Sequence, residues 1–157
     1  MKLEFYTNKE IEKIIERSSK ILGIELNEKA GEEIAKRSRY TPRTANYLLK
    51  RARDYSQVNT TDLTKESVDE ALKLSGIDHV GLSPADRDIL HTIINKFSGG
   101  PVGLNTLAAA MSEEQATIEE FNEPYLIQLG FLDRTPRGRT VTSSGDEHLG
   151  LAPKTLL

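Results

Sequence analysis

The apolar residues of this chain recur mostly every three or four positions, and each such run is bounded by capping residues, so the pattern predicts a succession of short amphipathic helices. Leu3-Glu4-Phe5-Tyr6 opens as a short extended segment. Thr7-Asn8-Lys9-Glu10 then has the form of a capping box. It starts a helix with Ile11, Ile14, Ile15, Ser18 and Leu22 along one face, ended by Gly23. Asn27 caps a second helix with Ala30, Ile34 and Ala35 inward. A third begins at Thr41-Pro42 and runs to about Ser56, burying Ala45, Leu48, Leu49 and Ala52. Thr64 caps a fourth with Val68, Ala71 and Leu72 inside, and Gly76 ends it. Residues 1–77 therefore read as a small four-helix bundle.

Residues Ile77–Leu82 read as a hinge. Ser83-Pro84 then opens a helix whose apolar face is Ile89, Leu90, Ile93, Ile94 and Phe97. Ser98-Gly99-Gly100-Pro101 must turn, and Val102 has room only for a vestigial strand. A short helix, Leu104 to Met111, carries Leu107 and Ala108 inward. A longer one, about Glu114 to Leu129, is expected to bury Ile118, Phe121, Tyr125 and Leu126, with Pro124 kinking or loosening it. Phe131–Arg134 and Thr140–Thr142 bracket a basic turn, Thr135-Pro136-Arg137-Gly138-Arg139. Three helices followed by such a hairpin is the winged helix-turn-helix order. The fold class is mainly α: a four-helix bundle over 1–77 and a winged-helix domain over 78–157.

Composition narrows the chemistry. With no cysteine, disulfides and thiolate metal sites are excluded, and three scattered histidines argue against a zinc site. No apolar run approaches a membrane span and no signal-peptide pattern opens the chain, so no membrane partner and a cytoplasmic location are expected. The net charge of −3 is uneven: residues 1–77 carry 15 Lys and Arg against 13 Asp and Glu, and residues 78–157 carry 6 against 11. Neither half has the overall basicity of a free-standing nucleic-acid binder, so any DNA contact must come from a local patch.

Two such places stand out. Arg43 falls in the first turn of the third helix, where the macrodipole disfavours a cation by a few tenths of a kcal/mol to ~1 kcal/mol. That placement makes sense if an anion such as a phosphate meets both the guanidinium and the helix N-terminus; the alternative is an ordinary surface arginine. Arg134, Arg137 and Arg139 lie within six residues on the hairpin. The helix that would read bases in this fold carries Glu113, Glu114, Glu119, Glu120 and Glu123 and no Lys or Arg. Base readout by that face would set carboxylates near phosphates, so the wing arginines point to backbone contact without sequence readout. The lesser alternative is that they only keep a hairpin edge soluble. Lys50, Arg51 and Arg53 read as a solvated face, and Tyr6 as a core aromatic.

The residues also resemble a known family. Leu3-Glu4-Phe5-Tyr6, Thr41-Pro42-Arg43, Phe97-Ser98-Gly99-Gly100-Pro101-Val102-Gly103-Leu104, Glu123-Pro124-Tyr125-Leu126-Ile127-Gln128 and Gly130 through Arg139 are similar, in this order, to the C-terminal part of RuvB. That family is the AAA+ motor driving Holliday-junction branch migration in DNA recombination and repair. The resemblance runs from Leu3 to about Leu151. It implies that residues 1–77 are an AAA+ lid and 78–157 a winged-helix DNA-binding domain. It implies further that Arg43 is the sensor-2 arginine, that Tyr6 lies near the nucleotide, and that Arg134 and Arg139, with Arg137 between them, contact DNA. Gln115 stands where the family usually has another DNA-contacting arginine, and Tyr40 where it usually has glycine before Thr-Pro-Arg. ATP and Mg2+, a homohexameric ring, duplex and Holliday-junction DNA, and the partner RuvA are implied for the whole motor.

The sequence contains no G-x-x-x-x-G-K-[ST] phosphate loop. The resemblance places that loop, the magnesium-binding acids, the trans-acting arginine and the main RuvA contact in a large ATPase domain expected to precede Leu3 and to be absent from this chain. No catalytic residue is therefore expected here, the chain alone should bind DNA weakly and hydrolyse nothing, and it should hold no nucleotide tightly. Two other readings remain: a free-standing winged-helix regulator preferring one sequence, and an interaction domain with no DNA affinity.

Overall fold

A computed structural model describes residues 5–150. Leu3-Glu4 of the opening motif and the residues after Gly150 lie outside the described residues. The chain divides into two compact units, one reaching Ser83 and the other beginning at Pro84.

The first unit is the expected bundle: α1 (Asn8–Ile21), α2 (Glu28–Lys36), α3 (Pro42–Asn59) and α4 (Lys65–Leu74). Each starts on a side-chain cap that satisfies an otherwise orphaned N–H: Thr7 accepts from Glu10, Asn27 from Lys29, Thr41 from Thr44 and Thr64 from Ser67. The stripes Ile11/Ile15, Ala30/Ile34/Ala35, Ala45/Leu48/Leu49/Ala52 and Val68/Ala71/Leu72 meet in one core. Ala30, Ala45 and Ala52 are fully buried within it. Leu22 departs from expectation. It is the C-cap rather than a facing position, and it is exposed. α3 runs a turn beyond Ser56 before Thr60, in the left-handed region, ends it.

Within the segment read as a hinge, the chain makes a locally tied turn. The Asp78 carboxylate accepts from the backbone N–H groups of Val80 and Leu82, at 3.0 and 2.9 Å. Gly81 (φ +88) lies so close to the backbone of Arg37 that a Cβ would sit 2.6 Å from its carbonyl oxygen.

The second unit comprises α5 (Pro84–Phe97), α6 (Leu104–Met111), a third helical stretch, strands β1 (Leu132–Thr135) and β2 (Gly138–Val141), and a helix not expected from sequence, α9 (Ser143–His148). Thr142 caps α9, and His148 stacks on Phe131 at 4.6 Å between ring centroids. The hairpin is antiparallel, with Arg134 directly opposite Arg139. Its turn is shorter than expected, only Pro136-Arg137, so Arg139 belongs to a strand. Val102 exchanges both backbone hydrogen bonds with Arg139, at 3.0 and 2.7 Å, forming the vestigial third strand. Gly138 (φ +131) permits that approach, since a Cβ there would lie 2.4 Å from the Val102 carbonyl oxygen.

The third helical stretch departs most from expectation. It runs as α7 (Gln115–Thr117), a π-helical segment (Ile118–Asn122) and α8 (Glu123–Gln128). Pro124 has no N–H to give the Glu120 carbonyl, so the α ladder cannot run through unbroken. The register widens, and the Glu123 N–H reaches back five residues to Ile118. The extra residue in the turn rotates Phe121 outward, to 56% exposure, and brings Asn122 and Glu123 in. Phe121 is thus not the core residue its spacing suggested. Buried Asn122 donates to buried Asp86 of α5 at 2.7 Å.

Candidate functional site

The residues singled out in the first unit gather at the start of α3. Thr41 is its N-cap and Pro42 its first residue, which leaves Arg43 in the first turn, exposed. Among the described residues Arg43 makes no hydrogen bond or ion pair, so the unfavourable placement of its charge has no internal compensation. Two consecutive residues before the cap, Arg39 (φ 58) and Tyr40 (φ 57), are in the left-handed region. That conformation costs an L-residue roughly 1–2 kcal/mol and suits glycine. This gives a backbone reason for the glycine that the resemblance leads one to expect at position 40. Tyr40 manages without it: its ring meets Phe5 edge-on with centroids 6.0 Å apart, and its carbonyl accepts from the Tyr6 N–H at 3.2 Å. Tyr6 is thereby held through its backbone while the residue stays 43% exposed, not a core aromatic.

The loop leading into this turn is anchored from beneath. Arg37 is buried and makes two hydrogen bonds to Glu33 Oε1, from Nε at 3.0 Å and Nη2 at 2.7 Å, and a third to Asp69 of α4. This ties α2, α4 and the Arg39-Tyr40 turn together ahead of Arg43.

In the second unit, the three arginines prove chemically unlike one another. Arg137 is at the hairpin tip, exposed and without a hydrogen-bond or ion-pair partner among the described residues. Arg134 and Arg139 share the inner face with Leu132 and Val141, since residues two apart on a strand point the same way. That face meets α8 through β1. Arg139 donates from Nε to Glu123 Oε1 at 2.9 Å, and the two side chains are 11% and 2% exposed. Arg134 donates from Nη2 to Glu119 Oε1 at 3.0 Å, the pair being 52% and 47% exposed, and its Nε lies 4.0 Å from Glu123 Oε1. Two like charges directly opposite on a hairpin repel; the Glu123 carboxylate between them offsets this. Its other oxygen, Oε2, is buried with no hydrogen-bond partner among the described residues. Gln115 is apart from this cluster by contact. It is the exposed first residue of α7, behind Glu113 and Glu114.

The acidic residues of the third helix, read from sequence as an obstacle to DNA, thus include two that grip the wing. The spacing held part of the signal. Glu119 and Glu123 are four apart, and Leu132 and Arg134 two apart. What that spacing lacked was the π-helical turn that aims Glu123 inward.

Among the described residues no three His, Asp or Glu side chains converge as a metal site, and no helix is long and apolar enough to cross a membrane.

Residues 6–78 match the RuvB AAA lid domain and residues 79–150 the RuvB C-terminal winged helix domain. Among solved structures the chain is similar to the Holliday junction branch migration motor RuvB of Thermotoga maritima. The two are 47% identical with a TM-score of 0.92, over 95% of this chain and 50% of that one. A point mutant of the same protein aligns with a TM-score of 0.93, again at 47% identity, over 96% of this chain and 50% of that one. The chain therefore spans about half the length of the relatives it matches.

Proposed function

The chain belongs to the RuvB family, carrying its lid and winged-helix domains in that order, and on that premise we propose that it is the lid and DNA-binding portion of an ATP-dependent motor of Holliday-junction branch migration. In this reading residues 1–77 form the lid and 78–157 the DNA-binding domain. Arg43 is the lid's phosphate sensor, with Tyr6 beside the nucleotide. The residues present fit a contributor to a nucleotide site rather than a whole one: an uncompensated guanidinium at a helix start, with no phosphate loop in the sequence. ATP with Mg2+ supplies the energy of the cycle in the whole motor. What this chain adds is a cation that draws toward the phosphates and moves the lid with it.

The wing supplies the DNA contact. Arg137 and the exposed part of Arg134 face the phosphate backbone, Arg139 adds its remaining nitrogens, and Gln115 offers a neutral hydrogen bond where a charge is usual. A homohexameric ring, RuvA as a partner engaged elsewhere in the motor, a cytoplasmic setting and an inability of this chain alone to hydrolyse ATP complete the proposal. The observation that carries it is the wing: exposed arginines on a hairpin, with a third helical stretch that carries Glu119 and Glu120, follows Glu113 and Glu114, and is unsuited to reading bases.

The test is binding of this chain to labelled duplexes of several sequences and to a four-way junction, followed by anisotropy across a salt series. Affinity should be weak, indifferent to sequence and steeply reduced by salt. Arg137→Ala should lower the salt slope by about one without changing sequence preference. Preference for one sequence would favour a regulator, and no binding in any salt an interaction domain. ATP hydrolysis by a clean preparation, abolished by Arg43→Ala, would overturn the predicted inactivity.

A further inference from the structure

The two carboxylates beneath the wing are held very differently. Glu123 and Arg139 are both almost fully buried, so that pair is fixed: separating it would strand a charge away from water. Glu119 and Arg134 are each about half exposed, and an exposed pair of this kind shifts an equilibrium by only about 1.5- to 5-fold. The Glu119 carboxylate occupies Nη2 of Arg134 at 3.0 Å, a distance a phosphate oxygen would also adopt. If Glu119 let go, Arg134 would still feel the buried Glu123 carboxylate, whose oxygen lies 4.0 Å from its Nε.

We propose that Glu119 is a built-in competitor for the DNA phosphate at Arg134, so that the wing loads onto DNA by exchanging a carboxylate for a phosphate oxygen while Glu123 holds the arginine in place. The inference rests on the reading of the wing as the DNA-facing element. It makes Glu119 a residue that sets how weakly, and how reversibly, the wing grips. A domain that must release and re-engage a moving duplex benefits from a contact whose making and breaking are both nearly balanced. It also separates the two glutamates by role: Glu119 yields, Glu123 does not.

The experiment is a double-mutant cycle on this chain, read as affinity for a labelled mixed-sequence duplex at low salt. It uses Glu119→Gln, Arg134→Ala and the double variant. Glu120→Gln, from the same π-helical segment and exposed without a partner among the described residues, controls for the loss of one negative charge. Glu119→Gln should tighten binding by about 1.5- to 5-fold beyond the Glu120→Gln control. The excess should vanish when Arg134 is alanine, so Arg134→Ala should cost more in the Glu119→Gln background than in the native one. An equal gain in both backgrounds, or a gain no larger than the control's, would overturn the competitor role while leaving the DNA reading standing. If Arg134→Ala changes binding in neither background, the DNA reading at Arg134 fails instead. Both sites are half-exposed, and thermal melts of each variant confirm that the fold persists.

Discussion

Glu123→Ala is the substitution whose consequence the structure fixes best. The side chain is 2% exposed and its one bonded oxygen serves Arg139 at 2.9 Å, with Arg139 itself 11% exposed. Removing one partner of a buried pair costs about 3–5 kcal/mol, because the other charge is left uncompensated. Arg139 lies on a hairpin strand and can relax partway toward water, which brings the cost down to about 2–3 kcal/mol. A second penalty has the same sign: with the carboxylate gone, Arg134 and Arg139 face each other across the ladder unscreened. For a unit of this size, 1 kcal/mol moves the melting midpoint by roughly 4–8 °C, so the winged-helix unit should lose about 10–20 °C. Glu123→Gln, which keeps an acceptor oxygen but no charge, should lose about 1 kcal/mol. The assay is calorimetry of the whole chain, following the transition assigned to this unit by a variant confined to the first. The pairing also demands non-additivity: Glu123→Ala with Arg139→Ala should destabilise less than the two singles combined. A melting shift under about 4 °C for Glu123→Ala, or strict additivity in the double variant, would refute the buried pair as the element holding the wing to the helix.

Other outcomes follow from particular contacts. Gly138→Ala puts a Cβ 2.4 Å from the Val102 carbonyl oxygen at φ +131; the third strand should detach, read as lost amide-exchange protection at Val102 and Arg139. Gly81→Ala drives a Cβ against the Arg37 backbone at φ +88, and should destabilise the bundle by about 1–3 kcal/mol in urea melts. Thr41→Ala removes the cap of α3 and should cost ~1 kcal/mol by the same assay. Arg43→Ala, by contrast, should leave stability within about 0.5 kcal/mol of the native chain, since nothing described depends on that side chain. A large loss there would mean the arginine holds the fold rather than waiting for a ligand.

Much of the architecture was legible because it is local. Thr7, Asn27, Thr41 and Thr64 cap where their side chains can reach the next turn, and, Leu22 apart, the stripes from Ile11 to Leu72 turn toward the core as their spacing says. Those positions obey short-range rules that a neighbouring element does not alter. The resemblance was legible too, through runs such as Phe97–Leu104. The candidate residues were findable as charges in odd places: Arg43 in a first turn, three arginines around a turn. What they touch was not.

The amino-acid sequence by itself determined a four-helix bundle followed by a winged helix, and which cations stand where an anion would be welcome. The tertiary structure alone decided the state of those cations. Counting along an α-helix, Glu123 would point about 140° away from Ile118, toward solvent. Pro124 and the packing of Asn122 against Asp86 widen one turn, and Glu123 swings beneath the hairpin to meet Arg139. Likewise two left-handed residues, not the identity of Tyr40, shape the turn before Arg43. Capping and periodicity act over three or four residues and can be read in one dimension. A buried carboxylate finds its arginine across sixteen, and only the folded chain brings the two together.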